Sequence, residues 1–188
     1  MKKPLFLLAL VLMSAVPTFA QSSEFGVLFG GTRRVIGDDD VLGAPEIEDN
    51  FELSNSNVEI YYGMELEPGT MFKLQAGRLE APVAFGSGEG ANRVRIDREG
   101  ELEHINGIIE YGFDEAYGST GFFAGVGLYR QKADTFDTET DFGFVGGINA
   151  DFPLSRRYGV IAEAAFHWTN FEYNPRYLTL SAGLRMKF

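Results

Sequence analysis

Few residues of this chain carry chemistry, and those that do stand at alternate positions. Glu59, Lys73, Glu110, Glu163 and Arg185 each interrupt a run in which every second residue is apolar or small. Period-two spacing puts the ions on one face of a β-strand and the apolar residues on the other. Glu163 and Arg185 lie equally far from a loop centred near Asn174, and Glu65 and Lys73 flank the Pro68-Gly69 turn in the same way. Each pair is therefore expected to be cross-strand neighbours. Ions enclosed in a narrow space must be paired, so the expected chemistry is a structural ion network of Glu163, Arg185, Lys73, Glu65 and Glu110. A gated pore or a proton path is the functional alternative for the same residues.

A second constellation is His167-Trp168-Thr169-Asn170. A histidine base beside a hydroxyl could activate it as a nucleophile, with Ser181 as another hydroxyl placed opposite His167. No carboxylate follows to orient the ring, because the last strand contains none, and His167 is expected to be a structural residue at the mouth of the fold. Asp38-Asp39-Asp40, with Glu46, Glu48 and Asp49, offers oxygens to a divalent cation. It lacks the fixed spacing of a calcium loop and reads as a solvated acidic segment. Gly86 to Gly90 has neither the lysine nor the strand-to-helix context of a phosphate loop. With two histidines far apart and no cysteine, no zinc motif exists. No catalytic residue, cofactor or metal is expected.

The elements that must hold these residues are strands. From Arg176 to Phe188 every second residue is apolar: Leu178, Leu180, Ala182, Leu184, Met186 and Phe188. The run exceeds an ordinary strand of about 5–6 residues and matches the roughly 9–11 needed to cross a bilayer at a tilt. Seven earlier segments alternate likewise, near 24–34, 54–65, 70–80, 102–113, 120–131, 142–152 and 158–169. Short turns alternate with longer polar connections, of which 81–101 is expected to be the longest, with Val94-Arg95-Ile96-Asp97 alternating weakly in it as a candidate strand extension above the membrane, and 132–141 is expected to be a loop. Aromatic residues gather at two levels, Tyr62, Tyr111, Phe113, Phe152 and Tyr158 near the short turns and Trp168 and Phe171 near the loops, as a bilayer with two interfaces selects. A soluble barrel would bury its oily face and expose its ions. Here the ionic face carries too many charges for a dry ligand cup.

Lys2 and Lys3, the apolar run from Leu5 to Val16, and Thr18-Phe19-Ala20 form an expected signal peptide over 1–20, cleaved after Ala20, leaving one domain over 21–188. The whole chain carries −11. Loss of Lys2 and Lys3 leaves 14 basic against 27 acidic residues, or −13. So acidic a chain is a poor partner for nucleic acid. No later segment approaches the roughly 20 apolar residues of a membrane helix, so any span must be a closed barrel.

The aromatic last residue and apolar alternation of Arg176–Phe188 resemble the terminal strand of bacterial outer-membrane barrels. Ala-Gly-Val-Gly-Leu-Tyr at 124–129 and the glycine-rich run 143–155 are similar to strands of the outer membrane protein β-barrel domain family, related to OmpX-like and OmpA-like barrels. The resemblance implies an all-β, eight-stranded antiparallel up-and-down transmembrane β-barrel in the outer membrane, without enzymatic activity. It further implies a structural or surface-interaction role, contact with outer-membrane lipids, a monomer, and insertion by the barrel-assembly machinery using Phe188 as a C-terminal signal. A channel for small solutes is the alternative. His167-Trp168-Thr169-Asn170 faintly resembles the His-x-Ser-Asn of lipid A deacylases, with threonine where that family has serine, and carries the less favoured enzymatic reading.

Overall fold

The computed structural model of the chain describes residues 22–35, 55–87, 94–115, 117–133, 136–171 and 175–188. Within them lie eight strands: β1 (Ser23–Val35), β2 (Ser56–Glu67), β3 (Thr70–Ser87), β4 (Val94–Glu115), β5 (Gly118–Ala133), β6 (Phe136–Pro153), β7 (Tyr158–Thr169) and β8 (Arg176–Lys187). Each pairs antiparallel with its neighbour in sequence, and β1 pairs with β8 to close the barrel. The expected signal peptide and the acidic segment from Asp38 to Asp49 fall outside the described residues.

Register fixes the bore. From Asn57 the pairing runs one way through Leu79, Leu102 and Gln131 to Glu139. The other way it runs through Gly30, Ser181 and Glu163 to Asn149, ten residues further along the same strand. With eight strands at ordinary spacings, a stagger of ten implies a tilt of about 40° and a backbone radius of about 8 Å. Such a cylinder has room for its own side chains and little else.

The two faces sort as the alternation requires. On β7, Ile161, Glu163, Ala165 and His167 are buried, whereas Phe166 and Trp168 are exposed. Around the wall the outward set includes Phe29, Ile60, Ile105, Val126, Phe144, Ile148 and Leu184, all exposed. This is a broad apolar surface that water would not tolerate. Most ions within the belt face inward, and the outward ones form a rim above it, chiefly on β3, β4 and β5.

Three expectations need correction. Residues 81–101 are not one long loop: β3 and β4 stay paired out to Ser87 opposite Val94. Above the belt there is no lipid to select apolar residues, so the outward positions Arg78, Glu80, Glu101 and Glu103 erase the alternation while the ladder continues. The segment 132–141 is likewise shorter than expected as a loop, because β6 starts at Phe136. Phe171 does not join the outer aromatic level. It is buried, and packs with Leu79, Ala81, Leu102, Tyr129 and Tyr177 in the lumen.

Candidate functional site: the filled lumen

The inward residues form three tiers. In the tier nearest the short turns, the Lys73 ammonium meets Glu110 at 2.5 Å and Glu24 at 3.9 Å. It also stands 4.5 Å from the centre of the Tyr61 ring. Arg185 pairs with Asp151, and its Nε lies 4.0 Å from Glu24. Asn149 donates to Glu110 at 2.5 Å. The lysine and arginine are thus each held between two carboxylates, as enclosed ions must be.

In the middle tier Gln75 donates from one amide nitrogen to Glu59 at 2.5 Å and to Glu163 at 3.3 Å. Asn57 donates to Glu59 at 3.1 Å and to Ser181 at 2.8 Å. This tier depends on Gly77. A β-carbon there would stand 2.6 Å from Glu59 Cγ and 2.7 Å from His104 Cε1. Only a bare backbone lets both side chains cross the wall at that point.

The third tier is aromatic and apolar. His167 Nδ1 lies 3.1 Å from the Tyr129 hydroxyl, and its Nε2 lies 3.4 Å from Thr179 Oγ1. The His104 and His167 ring centres are 5.2 Å apart. Above them the cluster of Leu79, Leu102, Tyr129, Phe171 and Tyr177 closes the bore. A second cluster, Ile108, Phe123, Val145 and Ala165, packs along the inner faces of β4 to β7.

The expected partners differ from those observed. Glu163 faces Ser181, and Arg185 faces Gly159, so these two ions are not cross-strand neighbours. The last hairpin is centred on residue 172, not on Asn174, and every pairing shifts accordingly. Lys73 faces Gly63, not Glu65, whose carboxylate instead accepts a hydrogen bond of 2.5 Å from Ser22. The network's unforeseen members are Glu24 and Asp151. Their inward parity was legible, but their distance in sequence from Lys73 and Arg185 concealed the pairing, which only closure of the barrel creates.

The hydrolase-like constellation does not assemble. His167 is fully buried in the lumen, facing Tyr177 instead of Ser181. The Thr169 hydroxyl donates to the Pro175 carbonyl at 2.8 Å. A histidine bonded to a tyrosine and a threonine has no carboxylate to orient it as a base. Among the described residues no three His, Asp or Glu side chains form a group that could hold a metal.

Three further surfaces surround the site. A vestibule of about 310 Å³ opens at the short-turn end and reaches Lys73, Glu110, Asp151 and Arg185. On the outer wall a groove of about 820 Å³ crosses β5 to β8. Above the belt, Arg78 pairs with Glu80 at 3.1 Å and Glu101 at 2.6 Å, and Glu103 accepts from Arg130 Nε at 2.8 Å and pairs with Lys132. Arg176 stacks over Trp168 at 4.9 Å on the same level.

No curated protein matches the sequence. Among solved structures, the N-terminal β-barrel domain of Pseudomonas aeruginosa OprF superposes with a TM-score of 0.57 at 11% identity, covering 90% of this chain and 98% of that one. Neisserial surface protein A (NspA) gives 0.55 at 18% identity, covering 89% and 96%. Ail, the attachment invasion locus protein of Yersinia pestis, gives 0.50 at 13%, covering 89% and 98%. These likenesses are of fold, and they agree with the closed eight-strand wall. Residues 6–188 match the family described as outer membrane protein beta-barrel domain, and the chain belongs to that family.

Proposed function

We propose that this protein is a non-enzymatic component of the bacterial outer membrane whose barrel is a plugged support, acting through its structure or through the segments it holds outside the cell. The observation that carries this reading is the filled bore. Two cations are clamped among three carboxylates at one end, Glu24 being shared between them, and a cluster of five large side chains closes the other. A cylinder of about 8 Å backbone radius leaves no second route past them. Absence of an orienting carboxylate at His167 supports a role without catalysis.

Single-channel recording in planar bilayers tests the reading. The intact protein is expected to show no sustained current. A steady open conductance would end the plugged reading and favour the small-solute channel.

A further inference from the structure

The groove on the outer wall faces hydrocarbon, and one feature at its lower end sets it apart from the rest of the belt. Its floor is a row of small side chains, one per strand: Thr120 on β5, Ala150 on β6, Ala162 on β7 and Ala182 on β8, paired in direct sequence around the wall. Phe113 stands at one end of the row and Phe29 at the other. The hollow is therefore walled as well as floored.

Directly below Ala150 and Ala162 lies the β6–β7 turn, with Arg156 and Arg157, both exposed. Its backbone is fixed. Leu154 and Ser155 N–H donate to the Tyr158 carbonyl at 2.9 Å, and the Ser155 hydroxyl accepts from the Tyr158 N–H at 3.0 Å. Lys187 N–H donates to the Arg157 carbonyl at 2.7 Å, tying the turn to the end of β8. The two other turns at this end, Glu65 to Thr70 and Phe113 to Ser119, contain acids and no base. In a chain of charge −11, two adjacent arginines here are a local reversal of sign.

We infer that this groove and turn together form a site for one anionic glycerophospholipid of the periplasmic leaflet, with the phosphate on Arg156 and Arg157 and an acyl chain laid over Ala150 and Ala162. The inference rests on the proposed outer-membrane function, with the short turns on the periplasmic side as in outer-membrane barrels generally. Dimensions agree: Ala150 and Ala162 stand three and four residues from the turn, roughly 10–13 Å along a strand, within the roughly 15 Å depth of one leaflet. Phe152 and Tyr158, both exposed, stand between phosphate and chain at the interface level that aromatic residues favour. Guanidinium groups match phosphate oxygens in geometry as well as charge. A second copy fits less well. A two-fold contact through the same patch would set hollow against hollow and arginine against arginine.

The test uses the full chain in nanodiscs of phosphatidylethanolamine and phosphatidylglycerol, with the lipids that survive detergent washing counted by native mass spectrometry. Phosphatidylglycerol is expected to be enriched about tenfold over its share of the disc. Arg156→Gln with Arg157→Gln should bring it to parity, and Ala162→Phe, which fills the floor, should reduce it even with both arginines present. Equal enrichment in the double variant and in Ala162→Phe would overturn the proposal. So would efficient cross-linking of Ala162→Cys into dimers or to another protein in native membranes, which would assign the groove to a protein partner. The arginine variants lie in an exposed turn and test the site even if Ala162→Phe fails to insert. Conductance read on the same discs' protein reports separately on the plugged bore.

Discussion

The two ends of the lumen are closed by opposite means. Toward the short turns the seal is ionic: Glu24, Lys73, Glu110, Asp151 and Arg185. Toward the loops it is apolar: Leu79, Leu102, Tyr129, Phe171 and Tyr177. Exposure explains the division. The carboxylate-bearing side chains of Glu110 and Asp151 are 14% and 15% exposed at the vestibule, whereas Leu79, Leu102, Tyr129 and Tyr177 are at zero. Where water reaches the bore, ions lose only part of their hydration and pairing can offset the loss. Where it does not, rings and aliphatic chains fill the volume at no desolvation cost. One wall of fixed radius therefore supports two kinds of plug at its two ends, and the wetter end carries the ionic one.

The largest break in that comparison comes from Lys73→Met. It removes the cation and leaves Glu24 and Glu110 facing each other in a confined space, a change that costs about 3–5 kcal/mol for a buried pair. Urea unfolding in lipid vesicles, followed by Trp168 fluorescence, measures it. The double variant with Glu110→Gln should recover a substantial part. A loss below about 1 kcal/mol would show that water in the vestibule already screens these charges and that the ionic seal contributes little.

Leu102→Ala probes the other end. Leu102 is fully buried and belongs to the upper apolar cluster, and truncating such a side chain typically costs about 2–5 kcal/mol. We expect about 3 kcal/mol, independent of salt, while the Lys73 variant should respond to salt because its site opens to the vestibule. Matching salt responses at the two positions would contradict the proposed split between wet and dry ends.

Much of this arrangement was legible in the sequence, for a reason visible in single strands. Val160, Ala162, Ala164, Phe166 and Trp168 alternate with Ile161, Glu163, Ala165 and His167, and parity alone assigns each to a face. Strand count and direction followed. Register did not, because every residue of error in a hairpin centre moves every partner by two, and the centres of the last hairpin and of the Pro68-Gly69 hairpin were off by two residues and by one. That is why Glu163 faces Ser181 and Lys73 faces Gly63. The Lys73–Glu24 contact was out of reach for a different cause. The partners sit on β3 and β1, which are not adjacent in the wall, and meet only across the bore. The extension of β3 and β4 was legible only at Val94–Asp97, because alternation is imposed by lipid, and above the belt that pressure ceases while hydrogen bonding does not.

The same boundary sets the smallest expected effect. At the rim, Glu103 is partly exposed and sits opposite Arg78 and Arg130, pairing with Arg130 and Lys132. Its partial burial pushes the carboxyl up, but hydrogen bonds from Lys132 and Arg130, with their charges, outweigh this and hold it below the ordinary value of 4.5. A depressed carboxyl contributes stability that is complete above 4.5 and is lost as pH falls through its lower folded value. An exposed pair is worth about 0–1 kcal/mol, so Glu103→Gln should shift the unfolding midpoint slightly at pH 7 in low salt and not at all once the pH falls below the folded value. A Glu103→Gln effect as large as that of Lys73→Met, or one that persists in acid, would mean the rim ladder bears on the barrel's stability as much as the enclosed ions do, and the distinction between inside and outside charges would fail.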